Sequence, residues 1–178
     1  MSKIGKQPIQ LPDDVEIFKR DQILYLMSPL VRMSIPIPPC LDIFIEYDVH
    51  VRGKNEQKKT KTIWGTYRNT LQNTIQGISQ GFQVTLKLVG VGYRATLDEK
   101  RENLILKVGF SHLIDVPIPK YVNINIIKNN KLIMRSYNLN LLMQFAAIVR
   151  QYKKPEPYKG KGILYKGEKI KRKEGKKK

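Results

Sequence analysis

Two amphipathic stretches, each at the end of a run of strand-like segments, constrain the fold of this chain most strongly. In TYRNTLQNTIQGISQ (66–80), apolar residues recur at steps of four, four and three: Tyr67, Leu71, Ile75 and Ile78. In NLNLLMQFAAIVRQY (138–152), the apolar side consists of Leu141, Leu142, Phe145, Ile148, Val149 and Tyr152. This spacing predicts two helices with one apolar face each. Each helix must bury that face against another layer, and the preceding strands provide one.

The strand-like segments before the first helix are short, apolar and interrupted by prolines and polar residues. They cover Val15 to Ile17, Ile23 to Met27, Val31 to Ile37 and Ile43 to Val51. The run IPIPPC (35–40) is expected at a sheet edge or in a loop, because proline cannot donate to a ladder. After the last of these segments, residues 52–61 (RGKNEQKKTK) are predicted to form a polar basic loop.

A second set of strands precedes the second helix. Alternating patterns occur in QVTLKLV (83–89), ENLILKVGF (102–110) and VNINII (122–127), and a hairpin turn is expected at Asn129 and Asn130. Either Asn138 or Asn140 can cap the helix that follows. The sequence therefore predicts an α+β fold of two tandem similar domains, each an antiparallel sheet with one packed helix. Their predicted bounds are 1–81 and 82–152, followed by a basic C-terminal extension at 153–178.

Half of the formal net charge of +18 lies in that extension. Residues 153–178 contain twelve Lys or Arg and three Glu, a net +9. With no apolar face to bury, such a segment is expected to stay extended until it meets an anionic partner. Nucleic acid is the first candidate for that partner, and an anionic membrane surface is the second.

Tyrosines, lysines and glycines alternate within the extension, in YKKPEPYKGKGILYKGEKIKRK (152–173). Lysines neutralise phosphates, tyrosine rings stack on bases, and glycines let backbone N–H groups approach phosphate oxygens. This pattern favours an RNA-binding segment. The alternative is a solvated basic tail that touches nothing in particular.

The enzyme alternatives have less support in the sequence. GVGYRA (90–95) matches a dinucleotide fingerprint after a predicted strand, but the residues that follow predict strand, turn and strand where the fingerprint needs a helix. Cys40, His50 and His112 cannot supply the four ligands of a zinc site, and Cys40 is predicted to be a small hydrophobe. No apolar run reaches the length of a membrane span. We expect no catalytic residue, metal, cofactor or small-molecule substrate.

Six ordered motifs make the chain similar to a known family. They are SKIGKQPIQLP (2–12), WGTYRNTLQNTIQGISQGF (64–82), LKLVGVGYRATL (86–97), VGFSHLIDVPIP (108–119), QFAAIVR (144–150) and PEPYKGKGILYKGEKIKRKEGKK (155–177). Together they resemble the ribosomal large-subunit protein six family of the bacterial type. The resemblance implies two homologous α+β domains without catalytic activity. It also implies binding to large-subunit ribosomal RNA through the second domain and tail, beside neighbouring ribosomal proteins and near the docking region of translational GTPases.

The resemblance also nominates RNA-facing residues and a cellular location. By position, the nominated residues are Tyr93, Arg94, Ser111, His112, Arg150, Lys153, Lys154, Tyr158, Lys159, Lys161, Tyr165, Lys166, Lys169, Lys171 and Arg172. The N-terminus lacks the pattern of a signal or transit peptide. Together with WGT at 64–66 and the abundance of lysine, isoleucine and asparagine, this favours a mitochondrially encoded protein of the mitochondrial ribosome. The bacterial cytoplasm and the plastid are the alternatives.

Overall fold

The chain folds into two compact units that divide between Gly81 and Phe82. The computed structural model describes residues 3–174, and we call residues 1–81 unit 1 and residues 82–178 unit 2. Each unit consists of antiparallel strands followed by a helix that packs on them. This confirms the predicted α+β class with two tandem similar domains, although each unit divides its strands between two small sheets where the sequence predicted one.

Over its described part, residues 3–81, unit 1 contains six strands and one helix. They are β1 (Ile9–Gln10), β2 (Glu16–Arg20), β3 (Ile23–Met27), β4 (Arg32–Pro36), β5 (Leu41–Ile45), β6 (Asp48–Gly53) and α1 (Lys58–Gln80). The sheets have the orders β1–β6–β5 and β2–β3–β4. Strand β4 carries Pro36 and lies at an edge, as predicted for this proline-rich run, because a proline nitrogen has no hydrogen to donate to a neighbouring strand.

Helix α1 begins at Lys58, eight residues before the predicted start, so the prediction of a loop was wrong for residues 58–61. The cause is tertiary: the indole Nε1 of Trp64 donates to the carbonyl oxygen of Val51 at 2.7 Å, which fixes the first turns against β6. The predicted apolar stripe is confirmed, since its four members are all buried. One of them is Tyr67, whose pKa burial raises to about 12, because its phenolate would lose hydration.

Within residues 82–174, unit 2 contains seven strands and one helix. They are β7 (Phe82–Val89), β8 (Arg94–Leu97), β9 (Asn103–Lys107), β10 (Ile114–Pro117), β11 (Asn123–Ile127), β12 (Lys131–Ser136), α2 (Leu139–Tyr152) and β13 (Gly162–Tyr165). The sheets have the orders β10–β9–β8 and β11–β12–β7–β13. The predicted strand over 102–110 ends earlier, at Lys107, and the next residues turn toward β10. The hairpin predicted near Asn129 is confirmed, with Lys128 and Asn129 both at positive φ.

Asn138 is the cap of α2. Its side-chain oxygen accepts from the backbone nitrogens of Asn140 and Leu141 at 3.0 and 3.2 Å, which resolves the two predicted alternatives. The buried face consists of Leu142, Phe145, Ala146 and Val149. Ile148 and Tyr152 were predicted on that face and are exposed, whereas Ala146, which the prediction left out, is buried.

The chain after α2 returns to the sheet as a strand. Strand β13 pairs antiparallel with β7, and Ile163 is fully buried within the core of unit 2. The prediction of an extended segment without an apolar face was therefore wrong for Gly162–Tyr165. The physical reason is that β7 has an open edge, where pairing satisfies the backbone groups of both strands and covers Ile163.

Candidate nucleic-acid interface

Two turns that are separate in sequence meet around Tyr93 in unit 2. The ring of Tyr93 lies so close to Gly90 that a Cβ atom there would be 2.9 Å from it. At Gly109, which has a φ of +84°, a Cβ atom would be 3.1 Å from the tyrosine hydroxyl. Side chains at either position would push the ring away. The two glycines therefore leave the space that the Tyr93 ring occupies between the β7–β8 turn and the β9–β10 turn.

The end of α2 joins these turns through Phe110. The ammonium nitrogen of Lys153 lies 5.0 Å from the centroid of the Phe110 ring, and the ring of His112 lies 6.1 Å from the same centroid. We call Tyr93, Phe110, His112 and Lys153 the Phe110 patch. Three of its members were predicted from sequence. Phe110 itself was missed, although it lies within the motif VGFSHLIDVPIP (108–119), and the residue is 43% exposed.

Arg94 and Ser111 lie beside the patch in sequence and are exposed. Arg94 begins β8 and is directly opposite Lys107 on β9. Two like charges opposite each other on adjacent strands repel, so this pair favours an anion nearby. Sequence reasoning missed Lys107, because the register of β8 against β9 decides which cation it faces.

Arg150 is engaged inside the protein. Its guanidinium forms an ion pair with Glu168 at 2.5 Å and lies 5.5 Å from the centroid of the Tyr165 ring. The second oxygen of Glu168 accepts from the backbone nitrogen of Tyr165 at 3.0 Å. The hydrogen bond from Arg150 holds the pKa of the Glu168 carboxyl below its ordinary value. Arg150 therefore holds the returning chain against α2, and its positive charge is neutralised by Glu168.

Glycine allows the chain to fold back closely on itself after α2. At Gly162, which has a φ of +144°, a Cβ atom would lie 2.7 Å from the Cα of Pro155. The backbone nitrogen of Ile163 donates to the carbonyl oxygen of Lys153 at 2.9 Å. The backbone nitrogen of Glu156 donates to the carbonyl oxygen of Lys161 at 2.8 Å. This turn carries Lys153, which contacts Phe110, and the exposed side chains of Lys154 and Lys159 on one folded backbone segment.

The remaining predicted residues divide into three groups. The first group lies on the turn after α2, where Lys154, Tyr158 and Lys159 are exposed and Lys161 is partly buried. The second group is Tyr165 alone, whose ring packs partly against the core and is less exposed than the sequence predicted.

The third group has exposed side chains that no contact within residues 3–174 brings to the Phe110 patch. It consists of Lys166, Lys169, Lys171 and Arg172. The backbone nitrogen of Lys166 donates to the carbonyl oxygen of Thr85, and the Arg172 guanidinium lies near Gly160.

The alternatives to nucleic acid concern the Gly90 turn, Cys40 and the two helices. The turn at Gly90 leads into strand β8, so no helix begins where a pyrophosphate would need one. Cys40 is a free, partly buried side chain packed against the core of unit 1. Over residues 3–174, His, Cys, Asp and Glu side chains do not gather in groups that could hold a metal ion. Within the same range, neither helix is long and apolar enough to cross a bilayer.

Comparison with known proteins identifies the family. A family model described as ribosomal protein L6 matches residues 89–166. The large ribosomal subunit protein uL6 of Acidithiobacillus ferrooxidans is 38% identical over the full length of both chains. The uL6c protein of Phaeodactylum tricornutum is 37% identical over 99% of this chain and 98% of its own. That of Arabidopsis thaliana is 39% identical over 98% of this chain and 78% of its own. With relatives this similar over nearly its whole length, the chain belongs to the ribosomal protein L6 family.

Proposed function

We propose that this protein is a structural component of the large ribosomal subunit and binds its RNA through the Phe110 patch and the returning C-terminal chain of unit 2. Proteins of this family are structural and not enzymes, which removes the dinucleotide alternative. The binding region is next to the docking site of translational GTPases. Neighbouring ribosomal proteins are further partners, and exposed Val91 and Leu113 give the patch an apolar rim suited to them.

The observation that carries this proposal is the meeting of three distant segments in one exposed patch. The Phe110 ring lies near both His112 and Lys153, and the Tyr93 ring packs closely on Gly90 and Gly109 beside it. Aromatic rings combined with cations are suited to unpaired bases and backbone phosphates. Unit 2 as a whole has 22 Lys or Arg against 7 Asp or Glu, a net +15. That charge requires counter-charge of the kind RNA provides.

The returning chain adds rigidity to this binding surface. Strand β13 fixes one end of the turn at 153–161, and the end of α2 fixes the other. Cations held on a fixed backbone lose less conformational entropy on binding than cations on a free tail. We infer that the surface holds separate RNA helices together by phosphate contacts and reads shape more than sequence.

Matched pairs of substitutions test this proposal. Lys153 and Lys154 are replaced by Gln in the test variant, and Lys100 and Lys120 in the control, which has the same net charge. The two control residues follow Leu97 and Pro117, at the opposite end of the β8–β9–β10 sheet from the two turns of the patch. Binding to a large-subunit RNA transcript is measured against salt concentration. The slope of log affinity against log salt should fall by about 2 in the test variant and little in the control.

Equal slopes in the two variants would contradict the assignment to this patch, and absence of RNA binding by the unchanged protein would contradict the function. Deletion of residues 153–178 is a poor test, because it removes β13 and exposes the core. A chain that ends at Glu168 keeps the strand and the Arg150 ion pair. It should retain binding with a smaller salt dependence, since it loses a net charge of +6 from seven Lys or Arg and one Glu.

A mitochondrial ribosome is the location we propose, on the sequence grounds given above. Co-sedimentation of the native protein with large subunits from purified mitochondria tests it. Recovery only with plastid or bacterial cytoplasmic subunits would contradict it.

A further inference from the structure

Unit 1 is nearly neutral, but its charge is unevenly distributed. It has 11 Lys or Arg against 8 Asp or Glu, a net +3. Residues 52–61 alone contain five Lys or Arg and one Glu, a net +4. The rest of the unit is therefore slightly acidic. This uneven distribution makes the region around residues 52–61 the positive end of an otherwise balanced domain.

A pocket of about 540 Å³ opens at this positive end, between the N-terminal segment, β6 and the first turn of α1. Its wall includes three cations, Lys6, Arg52 and Lys61, together with Trp64 and the carboxylate of Glu56. Within residues 3–174, none of the three cations forms an ion pair with a carboxylate. The guanidinium carbon of Arg52 lies 5.3 Å from the centroid of the Phe44 ring, a contact that leaves its charge unneutralised. All three positive charges therefore remain available to an anion.

The wall of this pocket is held in place by contacts inside unit 1. The indole nitrogen of Trp64 donates to Val51, and a Cβ atom at Gly5 would lie 2.8 Å from the indole ring. Lys6 follows Gly5 directly. The next residues are held by buried Arg68, which donates to the carbonyl oxygens of Gln7 and Pro8 at 3.2 and 3.0 Å. The pocket is therefore formed before any ligand arrives.

The start of α1 adds to the positive potential of this pocket. The cap residue Gln57 makes no side-chain hydrogen bond to the helix, and the first turn contains no acid. Lys58, Lys59 and Lys61 lie there instead. Lysines at the positive end of a helix dipole are unfavourable, whereas an anion there is favourable. The first N–H groups of a helix, here those before Lys61, have no acceptor within it and also favour an anion.

From these contacts we infer that the pocket is a second RNA contact, in unit 1, which takes a backbone phosphate between Lys6, Arg52 and Lys61. The Trp64 ring provides an apolar wall for the attached ribose or base. This inference rests on the proposed RNA binding by unit 2. Only Gly81 links α1 to β7, so RNA held by unit 2 stays at high effective concentration for unit 1.

A matched pair of triple variants tests the inference in the full-length protein. Lys6, Arg52 and Lys61 are replaced by Gln in the pocket variant. The control replaces Lys19, Arg20 and Arg32, which belong to the β2–β3–β4 sheet of the same unit. Binding to the large-subunit RNA transcript is again measured against salt. The salt slope should fall by about 3 in the pocket variant and little in the control. Trp64 fluorescence checks that each variant is folded.

Ultraviolet cross-linking of the unchanged protein to the transcript gives a second readout that needs no variant. Adducts on peptides that cover residues 52–64 support the inference, and adducts confined to unit 2 overturn it. Pocket and control variants with equal salt slopes also overturn it, while a weakened K153Q/K154Q variant in the same experiment would leave the function of unit 2 standing. Normal RNA binding with reduced incorporation into large subunits would overturn it too, because the pocket would then contact a protein.

Discussion

Units 1 and 2 have the same order of strands followed by a helix, yet they complete their sheets differently. In unit 1 the helix is the last element, and both sheets have three strands. In unit 2 the chain continues past the helix and adds β13 to make a four-stranded sheet. The same return fixes the cations of 153–161 in place. The difference teaches that a basic tail becomes a defined surface when a short apolar strand within it pairs with a sheet.

The two units also differ in charge and in how their helices begin. Unit 2 has a net +15 and unit 1 a net +3. Helix α2 is capped by Asn138, whereas α1 starts at Gln57 without a side-chain cap and with lysines in its first turn. A side-chain cap provides an acceptor for the first N–H groups of the helix from within the chain. At an uncapped basic start, a ligand or water must provide that acceptor.

The strongest test of the comparison removes the core contact that β13 adds to unit 2. Ile163 is fully buried, and its replacement by Ala should lower the free energy of unfolding of unit 2 by about 2–5 kcal/mol. Unit 1 should keep its stability, because the buried cores of the two units are separate clusters. Urea unfolding is followed by circular dichroism for the whole chain and by fluorescence of Trp64, the single tryptophan, for unit 1.

Leu24→Ala is the control for that experiment, since Leu24 is equally buried in the core of unit 1. It should move the Trp64 transition, whereas Ile163→Ala should not. If Ile163→Ala leaves both transitions in place, β13 contributes little and the tail resembles the free extension that the sequence predicted.

A smaller effect is expected at the helix starts. Asn138→Ala removes the acceptor for two backbone nitrogens of α2 and should cost about 1 kcal/mol of unfolding free energy. Gln57→Ala should cost almost nothing, because the Gln57 side chain makes no cap hydrogen bond. Chemical denaturation of both variants measures the difference. Equal losses would remove the contrast between the two helices.

The smallest expected effect concerns pH. Because Arg150 lowers the pKa of Glu168 in the folded state, the ion pair stabilises unit 2 above the ordinary carboxyl pKa range. That stability is lost as pH falls through the lowered value. Glu168→Gln should remove roughly 1 kcal/mol or less at neutral pH and flatten this part of the acid dependence. Stability curves against pH, with Asp115→Gln as an exposed control, measure it, and parallel curves for all three proteins would contradict the ion pair.

Local patterns in the sequence were sufficient for the class of fold and for most elements. The stripe of Tyr67, Leu71, Ile75 and Ile78 lies within one helix, so its spacing alone predicted the buried face. The asparagine cap of α2 was predictable to within two positions, Asn138 or Asn140, because a cap acts on residues two and three positions away, and the structure selects Asn138. The start of α1 was not, since the contact between Trp64 and Val51 that fixes it depends on how the helix lies on β6.

The candidate site was only partly predictable for the same reason. Its residue types, cations with tyrosines and glycines, were visible in the sequence and in the resemblance of its motifs. The pairing of Lys153 with Phe110 and of Arg150 with Glu168 was not, because no periodicity relates residues that meet through separate turns.

In the basic C-terminal stretch, residues 153–178, the sequence determined the charge and the tertiary structure determined the conformation of the strand within it. Its composition by itself determined a strong positive charge and a need for an anionic partner, because charge adds up whatever the fold. Only the tertiary structure decided that Gly162–Tyr165 pairs with β7, more than seventy residues earlier in the chain. A four-residue strand has no periodicity strong enough to detect, and its stability comes from an open edge that other segments create.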